Sequence, residues 1–201
     1  MPTPSFPKFD PATPDFWDAR FDAAFTPWDQ GGVPHCLSDY VAHHPAPQTV
    51  LIPGCGIAYE VAFLAEHGWD VHAIDFSPAA VAVAKKQLGL YADRVEVADF
   101  FSPPSSGPRY TVIYERAFLC ALPRALWQRW ADQVAQLLPR GGLLMGFFFF
   151  DTLEKGPPFG LASTQLDDLL MPHFKQLEEA TPTDSIAIFQ GKERWMVWER
   201  R

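Results

Sequence analysis

Thr49-Val50-Leu51-Ile52-Pro53-Gly54-Cys55-Gly56 is a short run of β-branched and aliphatic residues that stops at a proline and two alternate glycines. It is too short for a helix and is cut off by Pro-Gly, so it reads as a buried strand that delivers the chain into a sharp turn. Glycines there let the backbone fold back and come close to a ligand. Downstream, Ala58 to His67 has a helical face of Val61, Leu64 and Ala65, closed by Gly68. Asp70 to Asp75 is the next strand. From Ser77 to Leu88 a helix is marked at both ends: Ser77 caps it, Pro78 suits its first turn, and Gly89 suits the position after its last.

The alternation continues outward. Val95 to Val97 and Tyr110 to Tyr114 are further strands. Leu126, Trp127, Trp130, Val134, Leu137 and Leu138 mark a helix, and Leu143 to Phe150 a fifth strand. Thr164 to Met171 is helical. Ser185 to Phe189 and Arg194 to Trp198, joined by Gln190 to Glu193, read as a hairpin. Upstream of the opening strand, Trp17, Phe21, Ala24 and Phe25 share a helix face that Pro27 ends, and a second helix spans Pro34 to His43. Strands alternating with helices predict an α/β fold, Rossmann-like: a mostly parallel seven-stranded sheet, helices on both faces, and a C-terminal antiparallel hairpin. One domain over 1–201 is expected, with residues 1–45 as an N-terminal arm and helices and 46–201 as the α/β core. Residues 1–14, rich in proline, are expected to be extended.

Composition narrows the function. The chain of 201 residues is 48% hydrophobic and 20% charged, as globular proteins are. Its 17 Phe and 7 Trp favour a deep apolar interior or pocket. A formal charge of −8 argues against nucleic acid and anionic membranes as partners. Three cysteines, none in a C-x-x-C pair, argue against disulfides and zinc and for a reducing compartment. The first residues lack a signal peptide's pattern, and Leu143 to Phe150 is too short to span a bilayer. The expectation is a cytoplasmic protein without a bound metal.

Asp75 ends the second strand, where a carboxylate can accept hydrogen bonds from both hydroxyls of a ribose. NAD and S-adenosylmethionine share that logic. The loop separates them, because a dinucleotide loop wants a third glycine where this chain has Tyr59. Asp99 follows the third strand; from there it can accept from an adenine amino group while Phe100 packs on the ring. The plainer alternative makes Asp99 a turn residue and Phe100 part of the core; the regular spacing with Gly54, Gly56 and Asp75 favours the ligand.

Four stretches resemble the thiopurine S-methyltransferase family, with its thiol, halide and thiocyanate relatives: Thr26-Pro27-Trp28-Asp29-Gln30-Gly31-Gly32, Ile52 to Gly56, Ile113 to Pro123, and Gly156-Pro157-Pro158-Phe159. They span residues 26 to 159 in the family's order. The match departs at Ala58, where many relatives have glycine, and in the acceptor-facing residues. The resemblance implies a class I methyltransferase that takes a methyl group from S-adenosylmethionine, leaves S-adenosylhomocysteine, and serves a small thiol of aromatic or heterocyclic kind. A halide, thiocyanate, selenium or tellurium acceptor is the alternative; an oxidoreductase or a non-catalytic donor-binding domain stands further off. It also implies a monomer, and Trp28 in a lid over the donor. Gly54, Cys55, Gly56, Asp75, Phe76, Asp99, Phe100 and Glu115 would bind the donor, with Arg116 and Phe159 on the acceptor side. Arg116 would be the catalytic group, since a fixed guanidinium favours the thiolate over the thiol. Trp28 reads equally well as a core tryptophan, and Arg116 as a structural partner of Glu115 or Asp29.

Overall fold

The computed structural model describes residues 4–102 and 110–201, so the first three residues of the expected arm lie outside it. In chain order the elements are α1 (Pro14–Asp22), α2 (His35–His43), β1 (Thr49–Pro53), α3 (Tyr59–Glu66), β2 (Asp70–Asp75), α4 (Pro78–Leu88), β3 (Val95–Val97), β4 (Val112–Arg116), α5 (Trp127–Leu137), β5 (Leu143–Phe149), α6 (Ser163–Leu170), β6 (Phe174–Ala180) and β7 (Glu193–Arg200). The strands form one seven-stranded sheet in the order β3-β2-β1-β4-β5-β7-β6. The first five are parallel; β7 runs antiparallel between β5 and β6. No helix among the described residues is long and apolar enough to cross a membrane.

Each face of the sheet carries its own core. Along β4, Val112 and Tyr114 pack with Ile52, Val61 and Leu64 on one side, while Ile113 packs with Trp130, Val134 and Trp198 on the other. Two-residue alternation therefore sends Tyr114 and Arg116 to one face and Glu115 to the opposite one. At the β4–β5 contact a side chain is forbidden: a Cβ on Gly146 would lie 1.8 Å from the Glu115 carbonyl oxygen.

The ends of α4 follow the sequence. The Ser77 hydroxyl accepts the Ala80 N–H at 3.1 Å, and Gly89 takes a positive φ of 56°. The end of α1 does not: the helix stops at Asp22 rather than at Pro27. Ala24 adopts φ 49°, while the Phe25 and Ala24 amides donate back to Arg20 and Phe21. This left-handed termination removes Ala24 and Phe25 from the expected helix face.

The C-terminal hairpin also differs. Its first strand is Phe174–Ala180, not Ser185 to Phe189, which forms turns. Phe174–Ala180 is an edge strand whose side chains are mostly exposed, so it carries Lys175, Glu178 and Glu179 and lacks an apolar run. The apolar Ile186, Ile188 and Phe189 instead pack with Phe149, Cys120 and Trp28.

Candidate active site

A cavity of about 630 Å³ opens at the carboxyl ends of β1, β2 and β4, where open α/β sheets place their ligands. Its floor is the turn after β1. Gly54 and Gly56 hold φ values of 59° and 54°, and Ala58 holds 64° ahead of α3. A Cβ on Gly54 would sit 2.4 Å from the Phe118 ring. Bare backbone at this point is thus a steric requirement as well as a conformational one.

Asp75 lies under that turn and is 7% exposed. One carboxylate oxygen accepts the Gly56 N–H at 3.1 Å and the other the Ser77 N–H at 2.9 Å. Burial pushes its pKa up to about 6; the two N–H donors pull against this, and the nearby charge of Asp18 adds to it. Each oxygen keeps a lone pair, so the carboxylate can still accept from a diol above it. Asp18, on α1, accepts the Ser77 hydroxyl at 2.5 Å and the Ala79 N–H at 3.0 Å. That contact fastens α1 to the start of α4 and brings an aromatic cover over the turn: Phe21 lies 3.7 Å from where a Cβ on Gly56 would sit, and Trp28 meets Trp17 edge-on at 5.5 Å.

At one end of the cavity stand Asp99 and Phe100. The Asp99 oxygens accept the Phe101 N–H at 2.9 Å and the Ser102 hydroxyl at 3.0 Å, while Phe100 is buried edge-on to Phe118. Cys55 and Phe76 also line the cavity. Burial, with the charges of Asp75 and Glu60, pushes the Cys55 thiol well up, which keeps it protonated and unreactive.

Arg116 lines the other end. Its Nη2 donates to Gln30 Oε1, its Nε lies 4.0 Å from Glu60 Oε1, and its guanidinium carbon stands 4.6 Å from the centre of the Phe147 ring. Glu60 also accepts from the Tyr114 hydroxyl at 3.4 Å. Burial raises the Glu60 pKa, opposed mainly by Arg116. Neither Glu115 nor Asp29 is the partner of Arg116: Asp29 accepts from the Gly31 N–H and the Tyr59 hydroxyl, at 2.8 and 3.3 Å.

Two expected residues fall outside the cavity lining. Glu115 points through the opposite face of the sheet, where its Oε1 accepts the N–H groups of Phe118 and Leu119 at 2.8 and 2.9 Å. Burial pushes it up to about 7. It shapes the turn after β4 rather than facing a ligand. Phe159 borders a separate void of about 10 Å³ with Glu115 and Trp127, and its neighbours Gly156, Pro157 and Pro158 reach the main cavity instead. Four lining or bracing residues had no assigned part: Asp18, Gln30, Glu60 and Phe189. Gln30 sits inside the Thr26 to Gly32 stretch, and that position was the available signal; Asp18, Glu60 and Phe189 lie outside all four stretches.

The sequence profile of the family described as Thiopurine S-methyltransferase (TPMT) matches residues 12–201. The Thiopurine S-methyltransferase of Xanthomonas campestris pv. campestris is 30% identical, over 82% of this chain and 84% of that protein. Thiocyanate methyltransferase 1 of Brassica oleracea is 28% identical, over 100% and 92%. Among solved structures, the 1,6-didemethyltoxoflavin-N1-methyltransferase of Burkholderia thailandensis superposes with a TM-score of 0.73 at 16% identity, over 98% of this chain and 92% of that one, which establishes the shared fold.

Proposed function

Because the chain belongs to the thiopurine S-methyltransferase family, it is an S-adenosylmethionine-dependent methyltransferase of small thiols, and we propose how its cavity divides that work. The described residues up to 45 form the arm and lid, and those from 46 onward the catalytic core of one domain. Asp75, with the lone pairs left free by Gly56 and Ser77, accepts from the ribose hydroxyls of the donor. The Gly54–Gly56 turn admits the donor's backbone-facing side at close range. Asp99 and Phe100, with Phe76, take the adenine end, and Phe21 and Trp28 cover the donor where it crosses the glycine turn. When bound, S-adenosylmethionine supplies a methyl group on a sulfonium, an electrophile that needs an in-line, electron-rich sulfur.

The chain's contribution is therefore position and charge. Arg116 faces the acceptor and favours its thiolate; the thiol proton leaves to solvent, so no side chain has to act as a base. Trp28, Ile188 and Phe189 wall off water around the reacting sulfur. Holding the two partners in line can supply roughly 7–11 kcal/mol of the barrier lowering. The observation that carries this division is that one cavity joins a carboxylate beneath a glycine turn to the half-buried guanidinium of Arg116 at the end of β4.

A second reading, a thiocyanate or halide acceptor, rests on the full-length likeness to the Brassica thiocyanate methyltransferase. Free cysteines accord with a cytosolic protein. The test is S-adenosylhomocysteine formation against 6-mercaptopurine, thiophenols, aliphatic thiols, hydrosulfide, thiocyanate and iodide. Turnover of aromatic thiols supports the first reading, and turnover of small anions alone supports the second. An Arg116→Ala change should cut the rate by tenfold or more and leave donor affinity within about twofold; an unaltered rate removes Arg116 from the acceptor side.

A further inference from the structure

At the end of β4 the Arg116 guanidinium stands among several acids. Glu60 from α3 lies 4.0 Å from the Arg116 Nε, and Glu193 from β7 and the Tyr114 hydroxyl on β4 also act on Arg116. Glu60 and Glu193 are both buried. A guanidinium that closed onto Glu60 as a two-pronged pair would offer little net charge to an incoming thiolate.

One contact opposes that closure. The Arg116 Nη2 donates to Gln30 Oε1, and Gln30 is neutral, so it occupies a donor without cancelling the charge. The amide is itself aimed. Gln30 Nε2 donates to the Asp184 carbonyl oxygen at 3.0 Å and to Asp184 Oδ2 at 2.9 Å. Asp184 Oδ2 is held in turn by the His35 N–H at 2.8 Å. With the NH2 group bound to two oxygens, the amide oxygen must be the end that meets Arg116.

We propose that Gln30, oriented by Asp184, is a positioning residue that holds Arg116 away from Glu60 and so keeps the guanidinium charge available to the acceptor sulfur. The proposal rests on the thiol methyl-transfer reading above. It also explains why the contact joins these two segments. Gln30 follows Trp28 on the chain after α1, and Asp184 precedes Ile188 and Phe189 on the loop before β7; all except Asp184 line the cavity. The amide that aims Arg116 therefore also fastens two walls of the acceptor end together. A carboxylate at position 30 would do the reverse, neutralising Arg116 while facing Asp184 with like charge.

The test uses the full chain with 6-mercaptopurine as acceptor and three variants: Gln30→Leu, Gln30→Glu, and Gln30→Leu combined with Glu60→Gln. Two quantities are read. One is turnover. The other needs no turnover: the thiol-to-thiolate absorbance change of 6-mercaptopurine bound alongside S-adenosylhomocysteine, titrated with pH. In Gln30→Leu the bound thiol should ionise about one pH unit higher and the rate at neutral pH should fall about tenfold, with the Kd for S-adenosylhomocysteine within about twofold. Gln30→Glu should be worse. Adding Glu60→Gln should restore most of the ionisation shift and the rate, because the competing carboxylate is gone. An unshifted ionisation in Gln30→Leu overturns the proposal. So does a loss that Glu60→Gln fails to recover and that comes with weaker S-adenosylhomocysteine binding, which would make Gln30 a brace of the fold. If the wild-type chain methylates no thiol at all, the thiol reading itself falls and takes the proposal with it.

Discussion

Donor binding should be coupled to pH through Asp75. Burial first, and the charge of Asp18 next, push this carboxyl from 3.8 up to about 6, against the pull of the Ser77 and Gly56 N–H groups. In the unfolded chain it ionises near the lower value. Between the two values the native protein holds a proton that the unfolded chain has lost, so this group's share of stability is full below the unfolded value and disappears as pH rises through about 6. A shift of about two units corresponds to about 3 kcal/mol. Ribose hydroxyls donating to the carboxylate favour its ionised form, so the occupied site titrates lower than the free one and binding releases a proton. The Kd for S-adenosylhomocysteine should therefore tighten between about pH 5 and about pH 7, by up to about tenfold per unit at the steepest. Isothermal titration calorimetry in two buffers of different protonation enthalpy reads both the affinity and the proton count. Asp75→Asn cannot ionise; it should bind weakly, with a flat pH profile and no proton release. A wild-type affinity that stays flat across this window, with no proton released, would refute the placement of Asp75 against the ribose.

The contact between Gly146 and the Glu115 carbonyl predicts that Gly146→Ala loses more than about 3 kcal/mol or fails to yield soluble protein, while Gly32→Ala, whose Cβ meets nothing within 4 Å, melts like the wild type. Asp18→Ala removes the acceptor shared by the Ser77 hydroxyl and the Ala79 N–H and should cost roughly 1–3 kcal/mol, with faster tryptic cleavage around Arg20; unchanged melting and cleavage would mean that α1 is held by its aromatic contacts alone.

Much of the core was readable because its signals are local. Ser77, Pro78 and Gly89 mark α4 by chemistry that acts within one turn, and the unbroken apolar run of β5 announces a strand buried on both faces. Where burial is lacking the signal is lost. β6 is an edge strand, and Lys175, Glu178 and Glu179 look like a solvated loop, while the half-buried Ile186 and Ile188 and the buried Phe189 of a loop imitate a strand. The resemblance puts Glu115 among the donor-binding residues and Arg116 on the acceptor side, yet adjacency along a strand means opposite faces of the sheet. The pairing of Gln30 with Asp184 was out of reach for another reason: 154 residues separate them, and no periodicity or capping rule links positions so distant.

The insertion of β7 between β5 and β6 has a bearing on how the chain survives its own synthesis. Translation delivers Leu143–Phe149 well before residues 193–200, and in the interval one side of that strand has no neighbour. A seven-residue segment as apolar as Leu-Leu-Met-Gly-Phe-Phe-Phe, with free backbone groups along one edge, is a template for other nascent copies. A ribosome stalled between the two strands, or a protease cutting there, would release a fragment that seeks a partner strand, so chaperone cover is needed most during those tens of residues.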